Sequence, residues 1–377
     1  MMFETSLEGP GTIRRPMPFV RKLQQHKGLP QGLDNLRPMK SDFASAPRAI
    51  SVAAMGLALF LSGCGGSTNI PLRTSIGPTP AGTITEFANG ISAGAGPLQI
   101  AKGPDGNLWF TESSGRIGRI SPGGAVTEFP VGTTPNPGLR GITSGPDGNL
   151  WFTEMYANRV GRITPSGSVT EFSTGIPPSA ALDGITSGAD GNIWFAEMGA
   201  IGRITPSGVV TEFTNGLLHD QPNAITAGPD GNLWFTECGD MVGRITPKGT
   251  VTQFTVGISP NAGTADIVAG PDGNLWFTEY CANKIGRITP TGVVTEFSTG
   301  ITPRAGLDDI ASGSDGNLWF TEGDADKIGR ITPTGVVTEF SYALPNGARP
   351  FGIAPGPDGN IWFTEIAANE IGSITTQ

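Results

Sequence analysis

The chain has 377 residues, of which 15% are charged, and its formal net charge is -9. Such an acidic chain lacks the basic footprint that a phosphate backbone requires, which argues against a nucleic-acid partner. Its 57 glycines and 32 prolines recur at regular turn positions, which predicts a folded repeat protein and not a disordered chain.

The amino-terminal region contains the features of a secretory signal in their usual order. Residues 49–61 form an apolar run preceded by basic residues, too short to span a bilayer but long enough for the core of a signal peptide. The Leu-Ser-Gly-Cys sequence that ends at Cys64 resembles the lipobox of bacterial lipoproteins, whose cysteine is lipidated. We therefore predict a protein that is exported and lipid-anchored in the bacterial cell envelope. A short buried helix with an incidental cysteine is the alternative.

The segments around this apolar run define the predicted domain organisation. Residues 1–38 form a polar, proline-bearing leader, and we hypothesise that translation starts at Met39, which makes residues 39–63 the signal peptide. Residues 64–82 are rich in Gly, Ser, Thr and Pro without periodicity, which is typical of a flexible tether. Residues 83–377 are expected to form the folded body.

Export also allows a disulfide between the two remaining cysteines. Cys238 and Cys281 follow equivalent glutamates in successive repeats, so they are expected to lie close together. Because their positions are offset by one residue, the alternative of two free thiols stays open.

The body is built on a repeat whose first copy is GPDGNLWFTE, residues 103–112. Every tryptophan of the protein lies in a copy of it, and successive copies are 40 to 43 residues apart. The seven are Trp109, Trp151, Trp194, Trp234, Trp276, Trp319 and Trp362.

One repeat, residues 139–172, contains four predicted strands. A short apolar strand around Ile142 is followed by the turn Gly-Pro-Asp-Gly and by a second strand over residues 149–154, in which large apolar groups point to both faces. A third strand covers residues 160–164, and a tight turn leads into a fourth over residues 168–172. Four short antiparallel strands in this length are typical of a β-propeller blade, with a β-solenoid as the structural competitor.

The ends of the array favour the propeller. The third-strand motif occurs seven times, the last at Ile371, whereas the fourth-strand motif has no copy after it. Residues 84–87 carry the missing strand ahead of the first tryptophan. We therefore predict an all-β, seven-bladed β-propeller of four-stranded antiparallel blades, closed by the N-terminal strand that completes the last blade.

Repeats of GPDGNLWFTE, IGRITP and VTEF resemble the virginiamycin B lyase, or streptogramin B lyase, family over residues 83–377. The resemblance implies a seven-bladed propeller that binds a type B streptogramin depsipeptide at one end of its channel. It implies a carbon-oxygen lyase that opens the ring ester by elimination, with histidine as base and Mg²⁺ held by glutamate to polarise the carbonyl. A monomer with no further cofactor is expected.

The family's catalytic histidines lie two residues before the inner-strand isoleucine. The seven corresponding residues here include no histidine: Leu98, Arg140, Asp183, Asn223, Ala265, Asp308 and Phe351. His219, in the loop before one inner strand, is the sole histidine beyond the signal. His219, Asp183 and Asp308 are therefore the candidate catalytic residues, and no metal ligand is assigned.

Function is expected where the repeats differ, in the loops that lead to the inner strands. The candidate ligand-binding residues there are Arg140, Asn223, Asp266, Asp309 and Phe351. They form a polar rim able to bind a small molecule or a peptide-like ligand. The alternative function is a non-catalytic, lipid-anchored envelope propeller that binds such a ligand, or an envelope protein, at the same rim.

Two repeated acids receive structural interpretations. The aspartate of each Gly-Pro-Asp-Gly turn is expected to stabilise that turn. The glutamate that ends each second strand is expected to pair with the arginine that recurs on the third strand, as in Glu112 and Arg119, with cation binding by these acids as the alternative. Glu365 lacks such a partner, since its repeat has Ser373 in place of the arginine.

Overall fold

The protein is described from a computed structural model that covers residues 81–132, 134–217, 221–237, 239–341 and 344–377. Its contacts divide the chain into residues 1–72 and 73–377, and the described residues all belong to the second unit. The predicted leader, the signal peptide and Cys64 lie outside the described residues, as do His219 and Cys238. Within the described part, no helix is long and apolar enough to cross a membrane.

The described chain forms 28 strands in seven sheets of four. The first strand is β1 (Ile84–Phe87). Blade 1 contains β2 (Pro97–Lys102), β3 (Leu108–Glu112), β4 (Arg116–Ile120) and β5 (Val126–Pro130). Blade 2 contains β6 (Leu139–Ser144), β7 (Leu150–Glu154), β8 (Arg159–Ile163) and β9 (Val169–Phe172). Blade 3 contains β10 (Ile185–Ser187), β11 (Ile193–Glu197), β12 (Ala200–Ile204) and β13 (Val210–Phe213).

The remaining blades repeat this order. Blade 4 contains β14 (Pro222–Ala227), β15 (Leu233–Glu237), β16 (Met241–Ile245) and β17 (Val251–Phe254). Blade 5 contains β18 (Thr264–Ala269), β19 (Leu275–Glu279), β20 (Lys284–Ile288) and β21 (Val294–Phe297). Blade 6 contains β22 (Leu307–Ser312), β23 (Leu318–Glu322), β24 (Lys327–Ile331) and β25 (Val337–Phe340). Blade 7 contains β26 (Pro350–Pro355), β27 (Ile361–Glu365) and β28 (Glu370–Ile374).

Strand β1 completes blade 7. It pairs antiparallel with β28, with Ile84 opposite Ile374 and Phe87 opposite Ile371. The first strands of the blades contact one another in sequence order, and β26 contacts β2. The ring is thereby closed, which confirms the predicted seven-bladed propeller and its closure by the N-terminal strand.

The tryptophans form the cores between blades. Each is at most 1% exposed, and each packs against the inner and middle strands of the following blade. Trp362 of blade 7 packs on Ile100, Leu108 and Phe110 of blade 1, so the last interface uses the same contact as the others. The alternating side chains of each second strand are therefore buried on both faces of the strand, one face against the preceding blade and the other against the following blade.

The turn aspartates have the predicted structural role. Asp147 Oδ1 accepts hydrogen bonds from the Asn149 backbone N–H at 3.2 Å and from Trp151 Nε1 at 3.0 Å. Equivalent bonds occur in the other six blades. Each turn thereby satisfies the polar atom of a buried indole.

The predicted pairing of second-strand glutamates with the recurring arginines is wrong. The six arginines lie 3.5 to 3.9 Å from the turn aspartates, as Arg162 does from Asp147, and stack over the blade's tryptophan and phenylalanine rings. Arg162 also donates to the carbonyl of Pro206 in the next blade at 3.1 Å. The reason is register: Arg162 lies opposite Trp151, whereas Glu154 lies opposite Arg159, at the other end of the strand.

Candidate functional site at the channel mouth

The candidate residues lie in β-bulges at one end of the channel. In six blades the inner strand contains one extra residue relative to the second strand, as between Leu307 and Ile310, which face Glu322 and Phe320. Each bulge therefore lies at the two residues that precede the inner-strand isoleucine. Such bulges redirect side chains and are common beside active sites.

A repeated threonine fixes these bulges. In blade 5 the Thr278 hydroxyl accepts the Asp266 backbone N–H at 2.9 Å and donates to the carbonyl of Asp308 in blade 6 at 2.9 Å. Thr321 makes the same pair of bonds to Asp309 and Phe351. Adjacent inner strands are therefore held together at the mouth, where side chains of the bulges are positioned by backbone bonds.

Blade 3 departs from this arrangement. Ala196 replaces the threonine, and the Asp183 backbone N–H donates directly to the Ala196 carbonyl at 2.9 Å. The Gly184 backbone N–H then donates to the carbonyl of Asn223 in blade 4 at 2.8 Å. The inner strand β10 is correspondingly short, so Asp183 precedes the strand instead of lying in a bulge.

Asp308 belongs to a charged cluster formed by blades 5, 6 and 7. Tyr280 Oη donates to Asp324 Oδ2 at 3.0 Å, and Arg349 Nη2 lies 4.0 Å from Asp324 Oδ1. Burial raises the pKa of Asp308 to about 7; the Arg349 charge opposes this shift and the Asp324 charge adds to it. Burial therefore shifts the titration of the Asp308 carboxyl group towards neutral pH.

Asp266 and Asp309 form a pair of hydrogen-bonded carboxyl groups on neighbouring inner strands. Asp266 Oδ2 accepts the Ile310 backbone N–H at 3.0 Å, and Asp309 Oδ2 accepts the Ile353 backbone N–H at 2.9 Å. Burial and the neighbouring Asp266 raise the pKa of Asp309 well above its usual range. Through these backbone bonds the two carboxyl groups join three inner strands.

Asp183 and Arg140 lie on the other side of the mouth. Burial raises the pKa of Asp183, and the charge of Arg140 opposes the shift. Arg140 Nη2 also lies 3.6 Å from the sulfur of Met155. Of the other predicted residues, Asn223 donates from Nδ2 to the Ala265 carbonyl at 2.9 Å, and Phe351 is half-buried. Cys281 is exposed, and because Cys238 lies outside the described residues, the disulfide and the alternative of two free thiols both stay predictions.

The structure adds three residues that the sequence did not single out: Tyr280, Asp324 and Arg349. Tyr280 directly follows the repeated second-strand glutamate and Asp324 follows it by two residues, both at positions where the copies differ. This difference between the repeats is the sequence feature that could have marked Tyr280 and Asp324 as candidate site residues. Their convergence on Asp308 could not be inferred, because it depends on which loops of adjacent blades meet.

The mouth residues do not fit a magnesium ion of the kind that the resemblance implies. Asp266 and Asp309 already bind backbone amides and each other, and Asp324 is bound by Tyr280. Among the described residues, three carboxylates whose oxygens lie within 4.8 Å of one another occur on the second, third and fourth strands of blade 7, at Glu365, Glu370 and Glu86. No step at the mouth is therefore derived through a metal.

Comparisons with known proteins identify relatives of the same architecture. The model of the virginiamycin B lyase family matches residues 74–256 and 217–377. The structure is similar to virginiamycin B lyase from Staphylococcus aureus, at 38% sequence identity and a TM-score of 0.71, covering 78% of this chain and 98% of that one. It is also similar to a streptogramin B lyase, at 34% identity and a TM-score of 0.73, covering 79% of this chain and 100% of that one.

A further relative was solved with a ligand. It is a catalytically inactive histidine-to-alanine variant of the Staphylococcus aureus enzyme with quinupristin, 37% identical, with a TM-score of 0.72 and coverage of 78% of this chain and 99% of that one. No curated protein sequence matches the chain significantly. With the family model covering most of the chain, the protein belongs to the virginiamycin B lyase family.

Proposed function

We propose that the protein binds a peptide-like ligand of the cyclic depsipeptide class at the loop end of its central channel. The observation that supports this most is the cluster of Asp308, Asp324, Arg349 and Tyr280, which combines acceptors, a cation and an aromatic ring on three blades. Depsipeptides offer N–H donors, carbonyl acceptors and apolar side chains, all of which such a surface can bind. A relative with this fold was solved with quinupristin.

The acidic character of the mouth favours ligand groups that donate hydrogen bonds or carry positive charge. Asp308 and Asp183 are partly accessible, and Arg140 and Arg349 are the basic residues beside them. A carboxylate accepts an amide N–H more strongly than a neutral oxygen does. Arg349 can in turn donate to a ligand carbonyl, so the cluster can hold one ester or amide unit from both sides.

A second candidate function, elimination at an ester, rests on the pKa of Asp308. A base whose pKa lies near 7 is suited to general base catalysis at neutral pH. In the elimination, the Asp308 carboxylate would take a proton from carbon, a carbon-carbon double bond would form, and the ester carbon-oxygen bond would break to release a carboxylate. Arg349 would stabilise the charge that develops on oxygen. Asp183 and His219 remain the other candidates for the base.

One experiment separates these functions. The purified protein is titrated with quinupristin by calorimetry, with and without Mg²⁺, and the recovered compound is examined by chromatography and fragmentation mass spectrometry. Binding with unchanged compound supports the binding function. A linear product of unchanged mass supports elimination, whereas a gain of one water indicates hydrolysis. Absence of binding at concentrations well above micromolar would refute both.

Asp308→Asn is the informative variant, because it keeps the shape of the side chain and removes its charge. Asp105→Asn is a matched control, since Asp105 lies in the turn at the opposite end of blade 1. We expect Asp308→Asn to weaken binding and to abolish any turnover while Asp105→Asn leaves both intact. Equal effects of the two variants would argue against a site at the mouth.

A further inference from the structure

In most blades the buried second-strand glutamate lies near a second glutamate on the fourth strand. In four blades an arginine or lysine of the third strand forms an ion pair with that fourth-strand glutamate. Arg116 lies 2.8 Å from Glu128 in blade 1, and Arg159 lies 2.5 Å from Glu171 in blade 2. Each basic residue is the first of its third strand, at the same end as the buried second-strand glutamate. The two acids of these blades are thus accompanied by one fixed positive charge.

Blades 5 and 6 show the same arrangement with lysine. Lys284 Nζ lies 2.5 Å from Glu296, and Lys327 Nζ lies 2.5 Å from Glu339. A hydroxyl from the preceding loop also donates to the acid: Thr302 Oγ1 lies 2.8 Å from Glu339 Oε2 in blade 6. Ser92 and Ser259 do the same in blades 1 and 5.

Blade 7 reverses the charge at this position. Glu370 begins the third strand, β28, where blades 5 and 6 have a lysine. Pro345 stands in the preceding loop where those blades have a serine or threonine. Glu86 on β1, Glu365 on β27 and Glu370 on β28 therefore converge, with carboxylate oxygens within 4.8 Å of one another. Three acids occupy a place where four other blades have two acids and a base.

Three of the convergent oxygens are buried without a hydrogen-bond partner among the described residues. Glu365 is completely buried, and neither of its carboxylate oxygens has a hydrogen-bond partner among them. Glu279 and Glu322 of blades 5 and 6 share this feature, but there a lysine binds the fourth-strand acid, whereas Glu86 Oε1 in blade 7 is itself buried and unpartnered. Buried carboxylate oxygens without donors are costly unless an ion or a proton neutralises them.

We propose that Glu86, Glu365 and Glu370 bind one hard divalent cation, Ca²⁺ or Mg²⁺, in blade 7. Ligands that are all carboxylate oxygens select hard cations over softer transition metals. The ion takes the place of the lysine ammonium of blades 5 and 6. It is separate from the channel mouth, since its ligands lie on the second, third and fourth strands and the channel is lined by the first.

The location gives the ion a structural role. Its three ligands come from β1, β27 and β28, so the ion joins the N-terminal strand of the body to the last blade. A cation that binds the closed ring and not the unfolded chain stabilises the closed ring by mass action. The N-terminal strand is thereby held by metal as well as by its ladder of backbone hydrogen bonds.

The test is the metal dependence of thermal unfolding. The purified protein is stripped with a chelator and then titrated with Ca²⁺ and, separately, with Mg²⁺, in a buffer containing enough NaCl to screen loose surface binding. We expect a saturable rise of Tm by several degrees and one bound ion per chain by calorimetry. No change in Tm, or several weak sites without saturation, would overturn the proposal.

Glu370→Lys provides the sharpest variant, because it recreates the arrangement of Lys327 and Glu339 in blade 6. We expect it to raise Tm in the absence of metal and to abolish the response to added metal. Glu365→Gln should abolish the response without adding a charge. Glu322→Gln, at the equivalent buried position of blade 6, is the matched control, and its Tm should still rise when metal is added. A response that persists in both Glu370→Lys and Glu365→Gln would refute the site.

Discussion

Phe87 on the first strand stacks on Trp362 of the last blade, with ring centroids 5.1 Å apart and ring planes inclined by 14°. The same stack occurs within every other blade, as between Trp151 and Phe172 at 5.3 Å. In blade 7 alone the two rings come from opposite ends of the described chain. The contact that completes a blade elsewhere therefore closes the whole ring here.

Phe87→Ala is expected to destabilise the protein by roughly 2 to 4 kcal/mol, below the roughly 3 to 5 kcal/mol of a fully buried phenylalanine because Phe87 is only half-buried. Phe172→Ala, the same change inside blade 2, should cost a similar amount in denaturant unfolding. Hydrogen exchange distinguishes them: β28 should lose protection in Phe87→Ala and keep it in Phe172→Ala. Unchanged exchange of β28 in both variants would contradict a closing role for the stack.

Asp147→Ala should destabilise blade 2 by about 1 to 3 kcal/mol, because it leaves the buried Trp151 indole N–H without its acceptor. Asp147→Asn keeps an acceptor oxygen and should cost less. Denaturant unfolding followed by tryptophan fluorescence measures both. If the two variants were equally unstable, the charge of Asp147 towards Arg162 would be the main contribution, and not the bond to the indole.

The buried glutamates of blades 5 and 6 predict that the free energy of unfolding decreases as the pH rises from 4.5 to about 8. Burial and the neighbouring Glu296 raise the pKa of Glu279 from 4.5 to about 8, and burial and Glu339 do the same for Glu322. A carboxyl whose pKa is raised by folding favours the folded state fully below pH 4.5. This contribution is lost as the pH rises through about 8.

Glu279→Gln is therefore expected to be more stable than the wild type by on the order of 2 kcal/mol at about pH 9, and nearly equal to it below about pH 5. Blade 4 offers the reverse control, since Gln253 Nε2 already donates to Glu237 Oε1 at 2.5 Å. Gln253→Glu should make the free energy of unfolding decrease more steeply as the pH rises. Parallel stability curves for all three proteins would contradict the assignment.

Binding at the channel mouth should depend on the ionisation of Asp308. We expect Asp308→Asn to weaken quinupristin binding roughly 10-fold to 100-fold, the usual effect of losing a charged hydrogen-bond acceptor. The pH midpoint of wild-type binding should lie near 7. It should move up in Arg349→Ala and down in Asp324→Asn, because Arg349 lowers and Asp324 raises the pKa of Asp308. Identical midpoints in all variants would exclude Asp308 as the titrating group.

The repeat explains why so much of the fold could be predicted. A turn aspartate, a buried tryptophan and a stacked phenylalanine recur in each blade, and local hydrogen bonds and packing within about 40 residues determine each blade. The partner of each arginine could not be predicted, because it depends on register. Arg162 lies opposite Trp151 and reaches the turn, at the far end of the strand from Glu154.

The site was predicted less completely. Asp308 and Asp183 were selected by their positions before the inner-strand isoleucines, whereas Tyr280, Asp324 and Arg349 were not. These three come from loops of three different blades, and the packing of adjacent blades brings Tyr280 and Arg349 to Asp324, whose charge acts on Asp308. Local sequence carries no information on that packing.

The sequence by itself determined the number of blades, the strand order within each, and the displaced strand that closes the ring, since these follow from periodicity and from the count of motifs at the two ends. The tertiary structure decided which charges meet. Glu365 ends the same second-strand motif as its counterparts, yet among the described residues it alone has the oxygens of two further carboxylates, those of Glu86 and Glu370, within 4.8 Å. Electrostatic energy depends on distances across strands, and strands far apart in the chain meet only in the closed ring.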